Sequence, residues 1–261
     1  MAGISGRHSV AERGVALVTG AGARLGKAMA EALGDDGWAV GVHYRSSSAG
    51  ADETVANIEK AGGRAATVRA DLADAESRAG LVAATAAVLG GPVTLLINSA
   101  STFEKDTAQT YGQKEWDFHF NVNLRAPVDL AQAFAAQLPN DRDGIVINLI
   151  DQRVWKLNPT FFTYTLSKSA LWTATRTLAQ ALAPNIRVNG IGPGPTLASI
   201  HQSDDVFADE AKNTLTQKGS SPEEIVRAMR YLIAATAVTG QMIAVDGGQH
   251  LMWQTPDVEH T

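Results

Sequence analysis

Residues 16–26 decide the fold of this chain and read Ala16-Leu17-Val18-Thr19-Gly20-Ala21-Gly22-Ala23-Arg24-Leu25-Gly26. An apolar run leads into a turn that carries glycines, and a helix-periodic stretch follows. Gly20 allows a tight turn, and Gly26 allows the helix to approach the sheet closely. This order of strand, turn and helix is typical of the first unit of a parallel α/β sheet.

The same alternation continues along the chain. Near-continuous apolar runs are typical of strands covered on both faces. We expect strands at 14–19, 38–43, 66–70, 94–98, 145–150, 186–191 and 242–245, and helices at 24–36, 51–61, 75–89, 113–137, 162–182 and 222–234. We expect residues 192–219 to form an irregular, mobile segment near the site. The pattern predicts an α/β fold, a single Rossmann-type doubly wound domain with a mostly parallel seven-stranded sheet and helices on both faces.

The composition excludes several classes of protein. The 261 residues are 45% hydrophobic and 19% charged, which is enough for one sizeable core. A net charge of −5 without a basic block argues against nucleic-acid and membrane partners. There is no cysteine, and the histidines lack metal-ligand spacing, so we expect no metal site. Without a signal peptide or an apolar run of ~20 residues, we expect a cytoplasmic protein.

Tyr164 and Lys168 lie four residues apart in a helical stretch, and Asp151 precedes the tyrosine by thirteen residues. Positions i and i+4 share one face of a helix, so the two side chains are neighbours. An ammonium beside a phenol favours the phenolate and lowers the pKa of the tyrosine, as general acid–base chemistry requires. Together with the glycine-bearing turn, the pair indicates a nicotinamide-dependent reductase.

The turn at 18–26 is a candidate dinucleotide site, because the helix N-terminus offers amides and a positive dipole to a pyrophosphate. A tight turn without a ligand is the alternative. After the second strand come Arg45, Ser46 and Ser47, where an NAD-preferring site places an acid. No acid is present, and these side chains suit a phosphate on the ribose, so we favour NADPH over a solvated loop. Asp71 accepts from an adenine amino group or caps a helix.

The chain resembles the short-chain dehydrogenase/reductase family over residues 14–251. The matching segments are Thr19-Gly20 with Gly26, Asn98-Ser99-Ala100-Ser101, Asn121-Val122-Asn123, Tyr164 with Lys168, Pro193-Gly194 and Val245-Asp246-Gly247-Gly248. The resemblance implies that Tyr164 is the general acid, that Lys168 binds the nicotinamide ribose and lowers the tyrosine pKa, and that Asn123 holds a proton-relay water.

The family pattern extends these expectations to the whole chain. It implies an NADP-binding catalytic domain at 14–252, between polar tails at 1–13 and 253–261, and a homotetramer that uses the helices at 113–137 and 162–182. The expected catalytic residues are Tyr164, Lys168, Asp151 and Asn123. The expected cofactor contacts are Gly20, Arg24, Leu25, Gly26, His43, Tyr44, Arg45, Ser46, Ser47, Asp71, Leu72, Asn98, Ser99, Ala100, Lys168, Pro193, Gly194 and Thr196.

Three departures from the general family pattern resemble its pteridine reductase branch, which includes bacterial dihydromonapterin and alternative dihydrofolate reductases. Arg24 stands in place of a glycine, and Asp151 stands in place of the usual serine. Asn98-Ser99-Ala100-Ser101-Thr102-Phe103 replaces Asn-Asn-Ala-Gly. The branch carries an Arg at the turn, an Asp beside the Tyr and an Asn-x-Ala-Ser-x-Phe segment next to the substrate.

The substrate contacts that follow suit a flat heteroaromatic ring. Phe103 can stack on such a ring, although packing in a loop is the alternative. Ser101 can hydrogen-bond the polar edge of the ring, and Arg24 can reach both a cofactor phosphate and a substrate heteroatom. The expected substrate contacts are Arg24, Ser101, Phe103, Asp151 and Tyr164.

Asp151 distinguishes reduction of a carbonyl group from reduction of a C=N bond. An ionised carboxylate cannot donate to a carbonyl and repels a developing alkoxide. It can orient the tyrosine hydroxyl or a water and help to pass a proton to a ring nitrogen, although a cap at the strand end is the alternative. We therefore expect NADPH-dependent reduction of a C=N bond in a pterin or dihydrofolate-like substrate. The rival hypotheses are a carbonyl or 3-oxoacyl reductase of the same family and a non-catalytic NADP-binding sensor or scaffold.

Overall fold

Seven parallel strands form one sheet in this computed structural model, which describes residues 13–197 and 203–253. The order across the sheet is β3-β2-β1-β4-β5-β6-β7, and every neighbouring pair is parallel. The strands are β1 Val15–Val18, β2 Ala39–Tyr44, β3 Arg64–Arg69, β4 Val93–Asn98, β5 Gly144–Leu149, β6 Ile186–Pro193 and β7 Met242–Val245. The predicted single α/β domain with a seven-stranded parallel sheet is confirmed.

Helices cover both faces of the sheet. They are α1 Arg24–Asp35, α2 Ser48–Lys60, α3 Ala75–Ala79, α4 Leu81–Leu89, α5 Gln113–Phe120, α6 Ala126–Gln137, α7 Phe162–Leu182, α8 Asp204–Lys212 and α9 Pro222–Ala234. One core contains Met29, Leu33 and Met229 from α1 and α9, and the other contains Leu130 and Phe134 from α6. Because both faces are covered, every residue of β4 and β5 is buried, which explains the continuous apolar runs.

The helix predictions differ from the structure in three places. The helix expected at 75–89 divides at Gly80 into α3 and α4. The helix expected at 113–137 contains a π-helical turn at Asn121–Arg125 between α5 and α6. Helix α8 lies in the stretch predicted to be irregular, and its sequence offers too few apolar residues for a clear helical period. Polar tails were expected at 1–13 and 253–261, and of these only residues 13 and 253 belong to the described residues. Within the expected mobile segment, residues 198–202 also lie outside the described part of the chain.

The sheet topology places the functional crevice. From β1 the chain continues to β2 and β3 on one side and then crosses to β4 on the other side of β1. The strand order therefore reverses at this point, and a crevice opens at the carboxyl ends of β1 and β4. Thr19 joins its two sides, because its hydroxyl oxygen accepts from the N–H groups of Ser99 (2.9 Å) and Ala100 (3.0 Å). Among the described helices, none combines the length and apolarity that a bilayer span requires.

Candidate active site

The glycine-bearing turn fits a phosphate group closely. Gly20 has a φ of 66°, which favours glycine, and a Cβ on Gly26 would lie 2.3 Å from the Gly20 carbonyl oxygen. Helix α1 has no side-chain cap at Ala23 and no acid in its first turn, so its first amides face the crevice without an anionic competitor from the helix itself. These features match the pyrophosphate site of a dinucleotide.

Arg24 occupies a backbone conformation that suits the glycine usual in the family. Its φ is 53°, in the left-handed region that non-glycine residues rarely adopt. The guanidinium donates to the Leu197 carbonyl oxygen (3.1 Å), which lies 173 residues further along the chain. Arg24 therefore bridges the turn and the segment after β6 across the mouth of the crevice.

His43 supports the turn from below. Its Nδ1 accepts from the Gly20 N–H (3.0 Å), so its ring proton is on Nε2, which donates to the Ala70 carbonyl oxygen (3.1 Å). The residue is 2% exposed, and burial lowers the pKa of His43 to about 4. The sequence predicted a cofactor contact here, but the chain itself engages both ring nitrogens, so His43 acts on a cofactor through the position of Gly20.

The pKa of His43 predicts a specific loss of stability in acid. Between pH 6.5 and about 4 the unfolded chain binds a proton at this residue and the folded chain does not, so stability falls as pH falls through that window. The shift corresponds to roughly 3 kcal/mol at most. In urea unfolding at pH 7 and pH 4.5, the wild type is expected to lose more stability than His43→Asn, which keeps an acceptor for Gly20 and does not titrate. Equal losses in the two proteins would contradict the assignment.

A cavity of about 650 Å³ runs from the turn to Tyr164. It brings together these predicted residues: Gly20, Arg24, Leu25, Gly26, Ser99, Ala100, Ser101, Phe103, Asp151, Tyr164, Lys168, Pro193, Gly194 and Thr196. The predictions missed further lining residues, among them Lys105, Arg153, Phe161, Phe207, Glu210 and Gln249. Spacing offered a signal for two of them, because Arg153 lies two residues after Asp151 and Phe161 lies one helical turn before Tyr164.

The other predicted residues do not line this cavity: His43, Tyr44, Arg45, Ser46, Ser47, Asp71, Leu72, Asn98 and Asn123. Asn98 is buried and joins β4 to β5 through its hydrogen bond to Asn148 (2.8 Å). The residues from 45 to 47 are exposed after β2, where the Arg45 guanidinium lies 5.7 Å from the ring centroid of Phe118. Asp71 accepts from the Ala73 N–H (2.9 Å), and the cap of α3 is Asp74, so a helix cap at Asp71 is wrong.

Tyr164 and Asp151 form a direct hydrogen bond. The Tyr164 hydroxyl donates to Asp151 Oδ2 (2.7 Å), and Asp151 Oδ1 accepts from the Arg153 N–H (2.8 Å). Asp151 therefore both caps the turn after β5 and contacts the tyrosine, so the two interpretations of this residue hold together. The Lys168 ammonium donates to the Leu149 carbonyl oxygen (2.8 Å) and lies 5.8 Å from the centroid of the tyrosine ring.

The pKa values of these groups depart from the expectation. Burial, followed by the nearby Asp151 carboxylate, raises the pKa of Tyr164 well above its ordinary value. The net shift is upward, opposite to the expected direction, because the phenol is buried and the carboxylate contacts it directly; a lowering contribution from Lys168 stays a prediction. Burial also raises the pKa of Asp151 and lowers the pKa of Lys168 to about 8. Tyr164 therefore retains its proton at neutral pH, and Asp151 takes up a proton more readily than an exposed aspartate.

Asn123 holds the segment that carries Ser101 and Phe103. Its Oδ1 accepts from the Thr102 N–H (2.9 Å) and the Ser101 hydroxyl (3.1 Å). Its Nδ2 donates to the Thr102 carbonyl oxygen (3.0 Å) and to Ser167 Oγ (3.2 Å). The side chain is thus fully engaged by the protein, and its relay of a proton through water stays a prediction. Because the Ser101 hydroxyl donates to Asn123, it is left as an acceptor for a ligand.

An aromatic wall faces the tyrosine. The Phe103 and Phe161 rings stack with centroids 4.0 Å apart and planes 9° apart, and Phe103 meets Tyr164 edge-on at 4.7 Å. Phe161 has a φ of 55°, a strained conformation for a bulky residue, typical of sites where function requires the side-chain position. The Arg153 guanidinium lies 5.3 Å from the Phe161 centroid. Phe103 is therefore packed against other side chains, as the alternative expected, and its contact with a substrate ring stays a prediction.

Comparison with known proteins agrees with this geometry. A family model described as enoyl-(acyl carrier protein) reductase matches residues 20–250. The crystal structure of FolM alternative dihydrofolate reductase 1 from Brucella suis in complex with NADP is 48% identical and has a TM-score of 0.92; the match covers 96% of this chain and 100% of that one.

Two curated relatives act on different compounds by name. Pteridine reductase 1 of Leishmania tarentolae is 32% identical, with 91% of this chain and 96% of that protein covered. 3beta-hydroxysteroid dehydrogenase 1 of Eggerthella lenta is 34% identical, with 90% of this chain and 93% of that protein covered. These matches span nearly the whole chain. The chain therefore belongs to the short-chain dehydrogenase/reductase family.

Proposed function

We propose that this NADP-dependent oxidoreductase reduces a C=N bond in a pterin or dihydrofolate-like substrate. The observation that carries the proposal is the 2.7 Å hydrogen bond from Tyr164 to Asp151. A carboxylate at this position replaces the serine hydroxyl that donates to a carbonyl oxygen in the general family pattern. When protonated, Asp151 can instead supply a proton through Tyr164 to the substrate nitrogen that becomes an N–H.

The chain's own residues hold and move the proton. NADPH, when bound, supplies the hydride. The Tyr164 hydroxyl faces the cavity with its proton retained, because burial and Asp151 raise its pKa. As the phenol gives its proton to a substrate nitrogen, Asp151, whose raised pKa favours uptake of a proton from solvent, gives that proton to the phenolate and is left as a carboxylate. The Lys168 ammonium lies close enough to stabilise the transient phenolate.

The cofactor residues support NADPH. Arg45 and the neighbouring serines follow β2 with no acid among them, which suits a phosphate on the ribose. Structures similar to this chain include proteins crystallised with NADP. The amides at the start of α1 and the close approach at Gly26 would hold the pyrophosphate.

The cavity wall supports a flat heteroaromatic substrate. Phe103 and Phe161 present stacked rings beside Tyr164, and the Ser101 oxygen is available as an acceptor for a ring N–H. The similarity to proteins named pteridine reductase and alternative dihydrofolate reductase points the same way. Reduction of a carbonyl is the second candidate, because a relative that is 34% identical to this chain is named a hydroxysteroid dehydrogenase. The cytoplasmic location, the homotetramer and the domain boundaries stay predictions from the sequence.

The decisive assay follows NADPH absorbance with dihydrofolate, a dihydropterin and a keto ester as separate substrates. The proposal expects turnover with at least one of the first two and a much lower kcat/KM for the keto ester. Turnover of the keto ester alone would move the chain to the carbonyl reductases. NADPH binding without turnover of any of the three would favour the non-catalytic sensor.

A further inference from the structure

Three buried side chains behind the aromatic wall form a hydrogen-bonded chain. His119, Thr163 and Asp106 are 0%, 0% and 4% exposed. The Glu104 N–H donates to His119 Nε2 (3.1 Å), so the ring proton is assigned to Nδ1, which donates to Thr163 Oγ1 (2.7 Å). The Thr163 hydroxyl then donates to Asp106 Oδ2. Burial lowers the pKa of His119, which agrees with a neutral ring.

Asp106 also supplies the cap that helix α7 lacks. The residue before the helix, Phe161, has no capping side-chain oxygen. Asp106 Oδ1 accepts from the Thr163 N–H (3.1 Å), and the Asp106 carbonyl oxygen accepts from the Phe162 N–H (3.4 Å). A residue from the loop after β4 thus satisfies amides that a local Ser, Thr, Asp or Asn normally satisfies. The start of α7, two residues before Tyr164, is therefore fixed to that loop.

A second set of bonds fixes the same loop on the other side of Phe103. Asn123 bonds both the N–H and the carbonyl oxygen of Thr102. Asn123 also donates to Ser167, whose hydroxyl donates to the Tyr164 carbonyl oxygen (2.7 Å). Phe103 lies between Thr102 and Glu104, so its backbone is held on both sides by residues that contact α7.

We propose that His119, Thr163 and Asp106 are positioning residues that fix Phe103 against Tyr164 and thereby set the affinity of the site for a flat aromatic substrate. The inference rests on the proposed function, because it concerns how the same site binds its ring. None of the three lines the cavity, so they act through the loop and not on the reacting atoms. The bonds run in one direction from the Glu104 amide to the Asp106 carboxylate, an arrangement in which each bond strengthens the next.

The test is the pair Thr163→Val and Thr163→Ser. Valine keeps the shape but removes the hydroxyl, which leaves the buried His119 N–H and one Asp106 oxygen without that partner, so the loop relaxes. We expect KM for the dihydropterin or dihydrofolate to rise about tenfold, while kcat stays within about twofold, because Asp151 still holds the Tyr164 hydroxyl. Serine retains the hydroxyl and is expected to restore the wild-type KM.

The chain offers a matched control two residues away. Thr165 lies on the same helix, and its hydroxyl is buried without a hydrogen-bond partner among the described residues. Thr165→Val is expected to leave KM unchanged. If Thr163→Val does not fold, His119→Gln provides the same test, because glutamine can accept from Glu104 but cannot donate to Thr163 in the same geometry.

The outcomes separate the inference from the proposed function. An unchanged KM in Thr163→Val or His119→Gln, an equal rise in Thr163→Ser, or a fall in kcat at constant KM overturns the inference alone. Absence of pterin and folate turnover in the wild type overturns the proposed function, and the inference with it. A rise in KM for the aromatic substrate that serine reverses supports both.

Discussion

Replacing Tyr164 with Phe is expected to lower kcat by about 10²–10⁴-fold, the usual contribution of a general acid. The change removes the hydroxyl group, and with it the hydrogen bond to Asp151 (2.7 Å) and the one proton that this cavity-lining residue can give up. The ring keeps its contacts with Phe103, so the wall retains its shape. Stopped-flow or steady-state measurement of NADPH oxidation tests the prediction.

Two control measurements test whether the loss of activity in Tyr164→Phe comes from the missing hydroxyl proton. NADPH affinity, measured by fluorescence titration, is expected to be unchanged in Tyr164→Phe, because the turn at Gly20 and α1 lies apart from the phenol oxygen. Tyr111→Phe is the matched control, since Tyr111 is 44% exposed and contacts Trp116 and Phe162 instead of the cavity. A variant that retains more than about a tenth of wild-type kcat would assign the proton to another group.

Replacing Asp151 with Ser is expected to divide the two candidate reactions. Serine cannot return a proton to the phenolate as a carboxyl group can, so C=N reduction is expected to fall about 10²-fold or more. A serine hydroxyl donates to a carbonyl oxygen, so reduction of a keto ester is expected to stay constant or to rise. The measurement is the ratio of kcat/KM for the dihydropterin to that for the keto ester, in wild type and variant.

Asp151→Asn separates charge from hydrogen bonding. Asparagine can still accept from the Arg153 N–H, but it cannot carry a proton. Because burial raises the pKa of Asp151, wild-type turnover is expected to fall as pH rises through that raised pKa, and the variant is expected to lack this limb of the profile. Asp52→Asn on α2, which is exposed, controls for the change in net charge. If the ratio of kcat/KM for the dihydropterin to kcat/KM for the keto ester does not change in Asp151→Ser, the carboxylate acts only as the cap of the turn after β5.

The sequence predicted that Tyr164 and Lys168 are neighbours, but it did not predict the direction of the tyrosine pKa shift. Helical spacing was sufficient to place Tyr164 and Lys168 on one face of α7, because i and i+4 positions are neighbours in any helix. The sign of the tyrosine pKa shift depends on burial and on which charged group contacts the phenol. Both depend on how separate elements pack together, and the spacing of residues along one helix does not specify that packing.

The same division holds for the aromatic wall and the loop behind it. A resemblance to the pteridine reductase branch singled out Phe103, but no local pattern joins it to Phe161, Asp106 or His119. These residues come from a loop, from α5 and from the start of α7, and they meet only when β4 and α7 are in place. The capping of α7 by Asp106 is equally non-local, because Phe161 at the N-cap position has no side-chain oxygen of its own.

By itself the sequence determined the parallel sheet and the glycine-bearing turn before α1, because apolar periodicity and glycine geometry act over a few neighbouring residues. Only the tertiary structure decided that His43 supports the turn, that Arg24 spans the crevice to Leu197, and that burial and Asp151 raise the pKa of Tyr164. Each of these depends on contacts between residues far apart in the chain, and the packing of the elements sets such contacts.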